Sequence, residues 1–314
     1  MKENSMKSSV CMLAFAAGKV STEGNAPKLY SGVGSVYVLG VNPNKTAMEK
    51  IFNREYEEEP NYLGEQEVNG EKIPTVRLSF VIKTDPEKNH GIELTSMYTL
   101  FLRKEYRYNR DKTKVQVIDK YGRTCWVTIE QAKNHEIPMY SNGPANIDKD
   151  YRPCYVGEED LVKFLIAYLN IPNPMKYING SWEMVEHPED SEAGLEKIEN
   201  YFKGDFSELK SIIALQPKNK VKLCFGVRAT DDNKQYQTFY TGMPMKNGVT
   251  DYSRLDKEIQ ERQANGGLST SEFSVEDLHE YSVESTDFSN NKSESNDLPF
   301  GPAEEAASPW FSNN

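Results

Sequence analysis

The residues that most often build reactive centres are scarce in this chain. Its 314 residues include four histidines, His90, His135, His187 and His279, and four cysteines, Cys11, Cys125, Cys154 and Cys224. No cysteine lies two to four residues from another, so zinc-type spacing is absent and no metal is expected. The cysteines read as buried, reduced thiols. A Gly-rich phosphate loop is also missing: Gly32-Val33-Gly34 lacks the third glycine and the following helix that a dinucleotide site requires. There is no Gly-x-Ser-x-Gly nucleophile elbow. His135 has no ligand partner at helical spacing and reads as a loop residue. The pairs Glu58-Glu59 and Glu158-Glu159 read as solvated faces or helix starts. A catalytic pair assembled only in three dimensions leaves no trace in a sequence. The expectation is a non-enzymatic protein with no cofactor.

Long apolar runs are lacking too. The longest spans residues 10–17, far short of the roughly 20 needed to cross a bilayer. It follows Met1, Lys2 and Lys7, which raises the question of a secretory signal, but it is at the short end for one. Residues 11–15 read equally well as a first strand. Without a signal the chain is expected in the cytoplasm. Hydrophobic residues make up 37% and charged residues 27% of the chain, slightly polar for a globular protein and consistent with part of it remaining unfolded.

Charge is present but unevenly placed. Of the net −11, residues 268–314 carry −9, with ten acidic residues against the single Lys292. The first 267 residues carry 36 basic and 38 acidic side chains and are almost neutral. The sequence divides accordingly into a body, 1–267, and an acidic Ser/Asn-rich tail, 268–314, expected to be disordered because it cannot bury enough surface to fold.

Strand patterns dominate the body. Residues 35–41 are rich in β-branched and aromatic side chains. In 74–84, Val76, Leu78, Phe80 and Ile82 alternate with Arg77, Ser79, Val81 and Lys83. Further strands are expected over 91–104, 114–119, 123–128, 218–229 and 236–241. Lys120-Tyr121-Gly122 marks a tight hairpin. Residues 55–70 and 134–155 read as long loops. Helices are expected over 46–52, from Glu158 through Leu169 (with Leu161, Phe164, Leu165, Tyr168 and Leu169 on one face), over 193–202 and over 252–263. Gly266-Gly267 closes the body. Many strands and few helices argue for a mainly β (α+β) barrel or sandwich with a helical insertion near 155–205.

Within the strands, residues 98–126 form a basic aromatic ribbon. It holds eight Lys or Arg and three acidic residues, or +5, threaded with Tyr98, Phe101, Tyr106, Tyr108, Tyr121 and Trp126. Single-stranded nucleic acid needs this mixture: cations neutralise phosphates, and flat rings accept bases at about 1–3 kcal/mol per base. A strand at 103–108 places Arg103, Glu105 and Arg107 on one side and Lys104, Tyr106 and Tyr108 on the other. Lys220, Lys222 and Arg228 add a second basic face beside Tyr236, Phe239 and Tyr240. An ordinary solvated hairpin produces the same composition, since aromatics favour strands and lysines favour exposed faces.

The tail supplies a second cue. Glu294-Ser295-Asn296-Asp297-Leu298-Pro299-Phe300 resembles the acidic C-terminal peptide of bacterial single-stranded DNA-binding proteins, which ends Asp-x-Pro-Phe. Over its whole length the layout is similar to phage single-stranded DNA-binding proteins, tailed phages of the crAss-like type in particular. Here Phe300 is followed by fourteen residues that include Pro309-Trp310-Phe311, so Leu298-Pro299-Phe300, Trp310-Phe311 or both are candidate anchors. The resemblance implies an OB-like antiparallel barrel that coats single-stranded DNA in phage replication or recombination, in the host cytoplasm. It implies a tail that recruits replication or recombination proteins through Asp297, Leu298, Pro299, Phe300, Trp310 and Phe311. Bases would stack among Tyr106, Tyr108, Tyr121, Trp126, Tyr236 and Tyr240. Phosphates would meet Arg103, Lys104, Arg107, Arg110, Lys112, Lys114, Arg123, Lys220, Lys222 and Arg228. The alternative is a virion structural or adaptor protein whose tail docks to another protein and whose body has no nucleic-acid role.

Overall fold

A computed structural model describes residues 28–171, 175–178, 181–184, 191–230, 234–268 and 270–282. Strand β1 (Tyr30–Val41) leads through helix α1 (Lys45–Phe52) to the hairpin of β2 (Leu63–Val68) and β3 (Glu71–Thr84), then to β4 (Thr95–Tyr106). A smaller unit follows: β5 (Lys114–Asp119), β6 (Thr124–Thr128), α2 (Ile129–Asn134), β7 (Met139–Tyr140), β8 (Gly143–Pro144) and β9 (Tyr151–Pro153). After β10 (Tyr155–Val156) come α3 (Glu158–Tyr168), β11 (Met175–Ile178), β12 (Ser181–Met184), α4 (Ser191–Phe202) and α5 (Ser207–Leu215). The chain returns as β13 (Lys220–Ala229) and β14 (Gln235–Lys246), α6 (Ser253–Ala264), β15 (Ser271–Phe273) and β16 (His279–Glu280).

The main sheet is antiparallel, ordered β10-β4-β3-β1-β13-β14, and curls into a half barrel. β1, β3 and β4 are sequential neighbours, and β13 returns by a long connection to lie on the far side of β1. That is Greek-key connectivity. Period-two alternation decides which face turns inward. Val76, Leu78 and Phe80 of β3 stand opposite Leu102, Leu100 and Tyr98 of β4, and all six are at most 2% exposed. Val36 and Val38, with Val221, Leu223 and Phe225, continue this core across the sheet.

Helix α3 lies against the inner side and packs chiefly on β14 and β13, with fewer contacts to β4. Phe164 stacks on Tyr98 at 5.1 Å and lies 4.4 Å from Phe80. Lys163 donates to the Gly242 carbonyl of β14. Ile198 and Tyr201 of α4 and Leu209 and Ile213 of α5 complete the same core. A second core sits in the small unit, where Val115, Val117, Cys125 and Val127 pack with Ile147 and Tyr151.

Three expectations need revision. Residues 63–68, read as loop, form β2, and Asn69 and Gly70 turn its hairpin at φ 53° and 83°, the left-handed pair of a type I′ turn. Residues 134–155 hold short strands around the second core, fixed where the Tyr151 hydroxyl donates to the carbonyls of Gln131 and Glu136. Nor does packing stop at Gly267. β15 pairs with β13 and β16 with β1, and Leu278 is 2% exposed in the main core. Gly32, at φ +109°, permits this: a Cβ there would lie 2.7 Å from the Asp277 carbonyl oxygen. The body therefore extends at least to Ser282.

Candidate nucleic-acid interface

At the end of β4, Arg103, Glu105 and Arg107 are half-buried, whereas Lys104, Tyr106 and Tyr108 are exposed. The strand alternation expected over these six residues is present. Their charges, however, are already engaged. Arg103 pairs with Glu105 at 2.8 Å and donates to Gln66. Arg107 pairs with Glu159 of α3 at 3.0 Å, donates to Gln116, and lies 5.8 Å above the Trp126 ring. Lys104 pairs with Glu199 of α4 at 2.6 Å. Tyr106 stacks almost parallel on Tyr155, 5.1 Å between centroids and 9° between planes, and is itself 36% exposed.

The hairpin of β5 and β6 is bolted to α3 through one carboxylate. Glu159 accepts from Gln116 at 2.8 Å and Thr124 at 3.0 Å and pairs with Lys163 at 3.1 Å. Burial alone would raise its pKa, but Lys163, Arg107 and the Gln116 amide outweigh burial and hold the carboxyl at about 2. The turn at Gly122 presses on α3, where a Cβ would meet Val162 at 2.5 Å. Beside it Arg123 pairs with Asp119 at 2.6 Å, and the half-buried Tyr121 lies between Lys120 and Arg123, 5.5 and 5.0 Å from its centroid. Trp126 is half-buried.

The turn that enters β5 differs. Asp111 accepts from Asn109 and Thr113, and these hydrogen bonds hold its pKa below the usual range. Arg110, Lys112 and Lys114 are exposed beside Tyr108, which is itself 39% exposed. Lys112 and Lys114 make no ion pair among the described residues.

The second basic face is mostly closed. Lys220 pairs with Asp85 at 2.6 Å and lies 4.8 Å from the Tyr37 centroid. Lys222 donates to the Val249 carbonyl at 2.7 Å and the Tyr252 hydroxyl at 2.6 Å. Arg228 and its cross-strand neighbour Tyr236 are half-buried. Tyr240 is only 2% exposed, its hydroxyl held by Glu258 at 2.7 Å and its ring covered by Arg262. It offers no face to a base, because α6 packs over it. The two basic sets share a face only in part. Directly paired residues share a face, and the pairs Lys220–Tyr37, Tyr37–Lys83 and Lys83–Thr95 put Lys220 on the outer face with Phe101 and Arg103. Lys104 and Tyr106 belong to the inner-facing set.

That outer face is the part of the surface sequence reading passed over. Tyr37, Arg77 and Lys83 lie there, half-buried, with Phe101 at 40% exposure. Their outward alternation was visible in β3, but nothing showed that β1 and β4 would align with it. The tail anchors Asp297, Leu298, Pro299, Phe300, Trp310 and Phe311 lie outside the described residues, as does Cys11. Burial pushes the thiols of Cys125 and Cys224 up to about 12, which makes them poor nucleophiles. No protein-family model matches this chain, and neither a curated protein nor a solved structure shows significant similarity to it.

Proposed function

We propose that this chain is a non-enzymatic single-stranded DNA-binding protein of phage replication or recombination, built on an OB-like barrel, whose acidic tail recruits partner proteins. The observation that carries the reading is the exposed pair Tyr106 and Tyr108 beside the unpaired Lys112 and Lys114. Stacking rings next to free cations is the composition single strands require. The architecture adds support. OB folds are five-stranded, partly open Greek-key barrels whose second and third strands present a binding face. Here the five long strands β1, β3, β4, β13 and β14 have Greek-key order, and β3 and β4 present Phe101, Arg77 and Lys83 on their outer face.

One observation favours the adaptor reading instead. Five of the eight ribbon cations are bound to carboxylates: Arg103, Lys104, Arg107, Lys120 and Arg123. A protein without a nucleic-acid role has no reason to keep them free.

Fluorescence anisotropy of labelled oligo-dT over a salt series separates the two. The comparison is the full chain against one ending at Ser282, which keeps Leu278 in the core and removes six carboxylates and Lys292. Salt-sensitive binding that tightens on truncation is expected, because a tethered −5 segment competes for the cations at an effective concentration near millimolar. Tyr108→Ala should weaken it by about 1–3 kcal/mol. No binding by either form at low salt overturns the DNA reading and leaves the adaptor.

A further inference from the structure

At the rim where β4, β10 and α4 meet, two donors converge on one anion. Lys104 Nζ lies 2.6 Å from one oxygen of the Glu199 carboxylate. The Tyr155 hydroxyl donates to the other at 2.5 Å. The ring of that same Tyr155 supports Tyr106. The two donors and the partly exposed Tyr106 ring are therefore linked through one side chain.

Glu199 is poorly placed for its own helix. It lies in the last turn of α4, where the negative end of the helix dipole disfavours a carboxylate. Burial disfavours its charge as well, yet the hydrogen bonds from Lys104 and Tyr155 hold its pKa below the usual range. The two donors thus outweigh the cost of burial. The side chain is still accessible: Lys104 and Glu199 are 39% and 23% exposed. Helix α4 is anchored by the buried Ile198 and Tyr201 on either side of Glu199. Exchange of this carboxylate for another anion needs only a rotation of the Glu199 side chain.

Resting on the single-stranded DNA reading above, we infer that Lys104 and Tyr155 form a phosphate subsite, which Glu199 occupies until DNA arrives. The phosphodiester beside a base stacked on Tyr106 presents two non-bridging oxygens and one negative charge, as the carboxylate does. It takes over both donors, and Glu199 turns to solvent. Helix α4 thereby belongs to the interface, as the source of an internal competitor.

The test is a double-mutant cycle on oligo-dT affinity with wild type, Glu199→Gln, Lys104→Ala and the double variant. Glu199→Gln is expected to bind about two- to fivefold tighter at low salt, the size of an exposed ion pair. Its salt slope should stay close to that of the wild type, because the same phosphate meets Lys104 in both complexes. Lys104→Ala should change affinity by less than about twofold alone, and abolish the gain in the Glu199→Gln background. Glu199→Ala, which removes both oxygens, must shift affinity in the same direction. Binding by the wild type with equal or weaker binding by folded Glu199→Gln overturns the subsite alone. An equal cost of Lys104→Ala in both backgrounds does the same. No binding by any of the four proteins overturns the subsite together with the function it rests on.

Discussion

The ends of the basic ribbon and its middle are alike in carrying cations and opposite in what those cations meet. From Arg103 to Arg107 and again at Lys120 and Arg123, every cation finds a carboxylate, three of them contributed from outside the ribbon by Asp148, Glu159 and Glu199. Between them, where the chain enters β5, Lys112 and Lys114 find none among the described residues, and Asp111 is spent on turn hydrogen bonds instead. A formal +5 in sequence therefore overstates the field a ligand would meet. What separates the ends from the middle is the carboxylates within reach, among them Glu159 of α3 and Glu199 of α4, which tie the start of the ribbon to the body. Cations that hold the fold together and cations left for a ligand can be told apart experimentally, because the first should move stability and the second only the salt dependence of binding.

The largest effect is expected where pairing is deepest. Arg152 donates to both oxygens of Glu158 at 3.1 and 2.6 Å, and the pair is 9% and 1% exposed. Glu158 also accepts from the Tyr155 backbone amide at 2.9 Å, so it fixes β9 and β10 relative to α3. Arg152→Leu strands a buried carboxylate and should cost about 3–5 kcal/mol in denaturant unfolding. A loss below about 1 kcal/mol would place the pair with the dispensable cations.

Glu159 should reveal the same fastening through pH. Its folded pKa of about 2 lies below the ordinary 4.5. The unfolded chain thus binds a proton that the folded chain refuses. The stabilisation is complete above the unfolded value and fades as pH falls through 4.5 toward 2, amounting to roughly 3 kcal/mol at neutrality. Unfolding free energy measured between pH 7 and 3 should fall for the wild type more steeply than for Glu159→Gln. Parallel curves would mean that Glu159 does not bind the hairpin as its contacts indicate.

Local patterns carried much of this fold. The alternation in β3, the apolar face of α3 and the Lys120-Tyr121-Gly122 turn all stand where sequence places them, because each is decided within ten residues or so. β2 was missed because an exposed edge strand of Gly, Glu and Gln shows no alternation, although Asn69-Gly70 was a legible turn signal. The segment after Gly267 was missed because its acidity masks Leu278, whose side chain packs where Gly34 carries none and whose backbone approach is permitted by Gly32. The candidate site was legible as composition only. That Tyr106 and Tyr108 point outward followed from alternation. That Arg107 would be bound by Glu159, 52 residues away, or Tyr240 covered by α6, depends on packing no local pattern reports.

The smallest effect on the fold, and the sharpest division between the ribbon's middle and its ends, belongs to Lys112 and Lys114. Both are exposed and make no ion pair among the described residues, so replacing both by Ala should leave unfolding free energy within about 0.5 kcal/mol of wild type. If they meet phosphates, each contributes about 0.7 to the slope of log affinity against log salt for a single strand. The double variant should therefore lose about 1.4 from that slope while its stability stays unchanged. Truncating Arg107 should do the reverse, lowering stability by exposing Glu159 to one fewer cation and leaving the slope almost intact. An unchanged slope in the Lys112/Lys114 variant would move the contact to the outer face, where Tyr37 pairs with Lys83 and, further along, Arg77 pairs with Phe101.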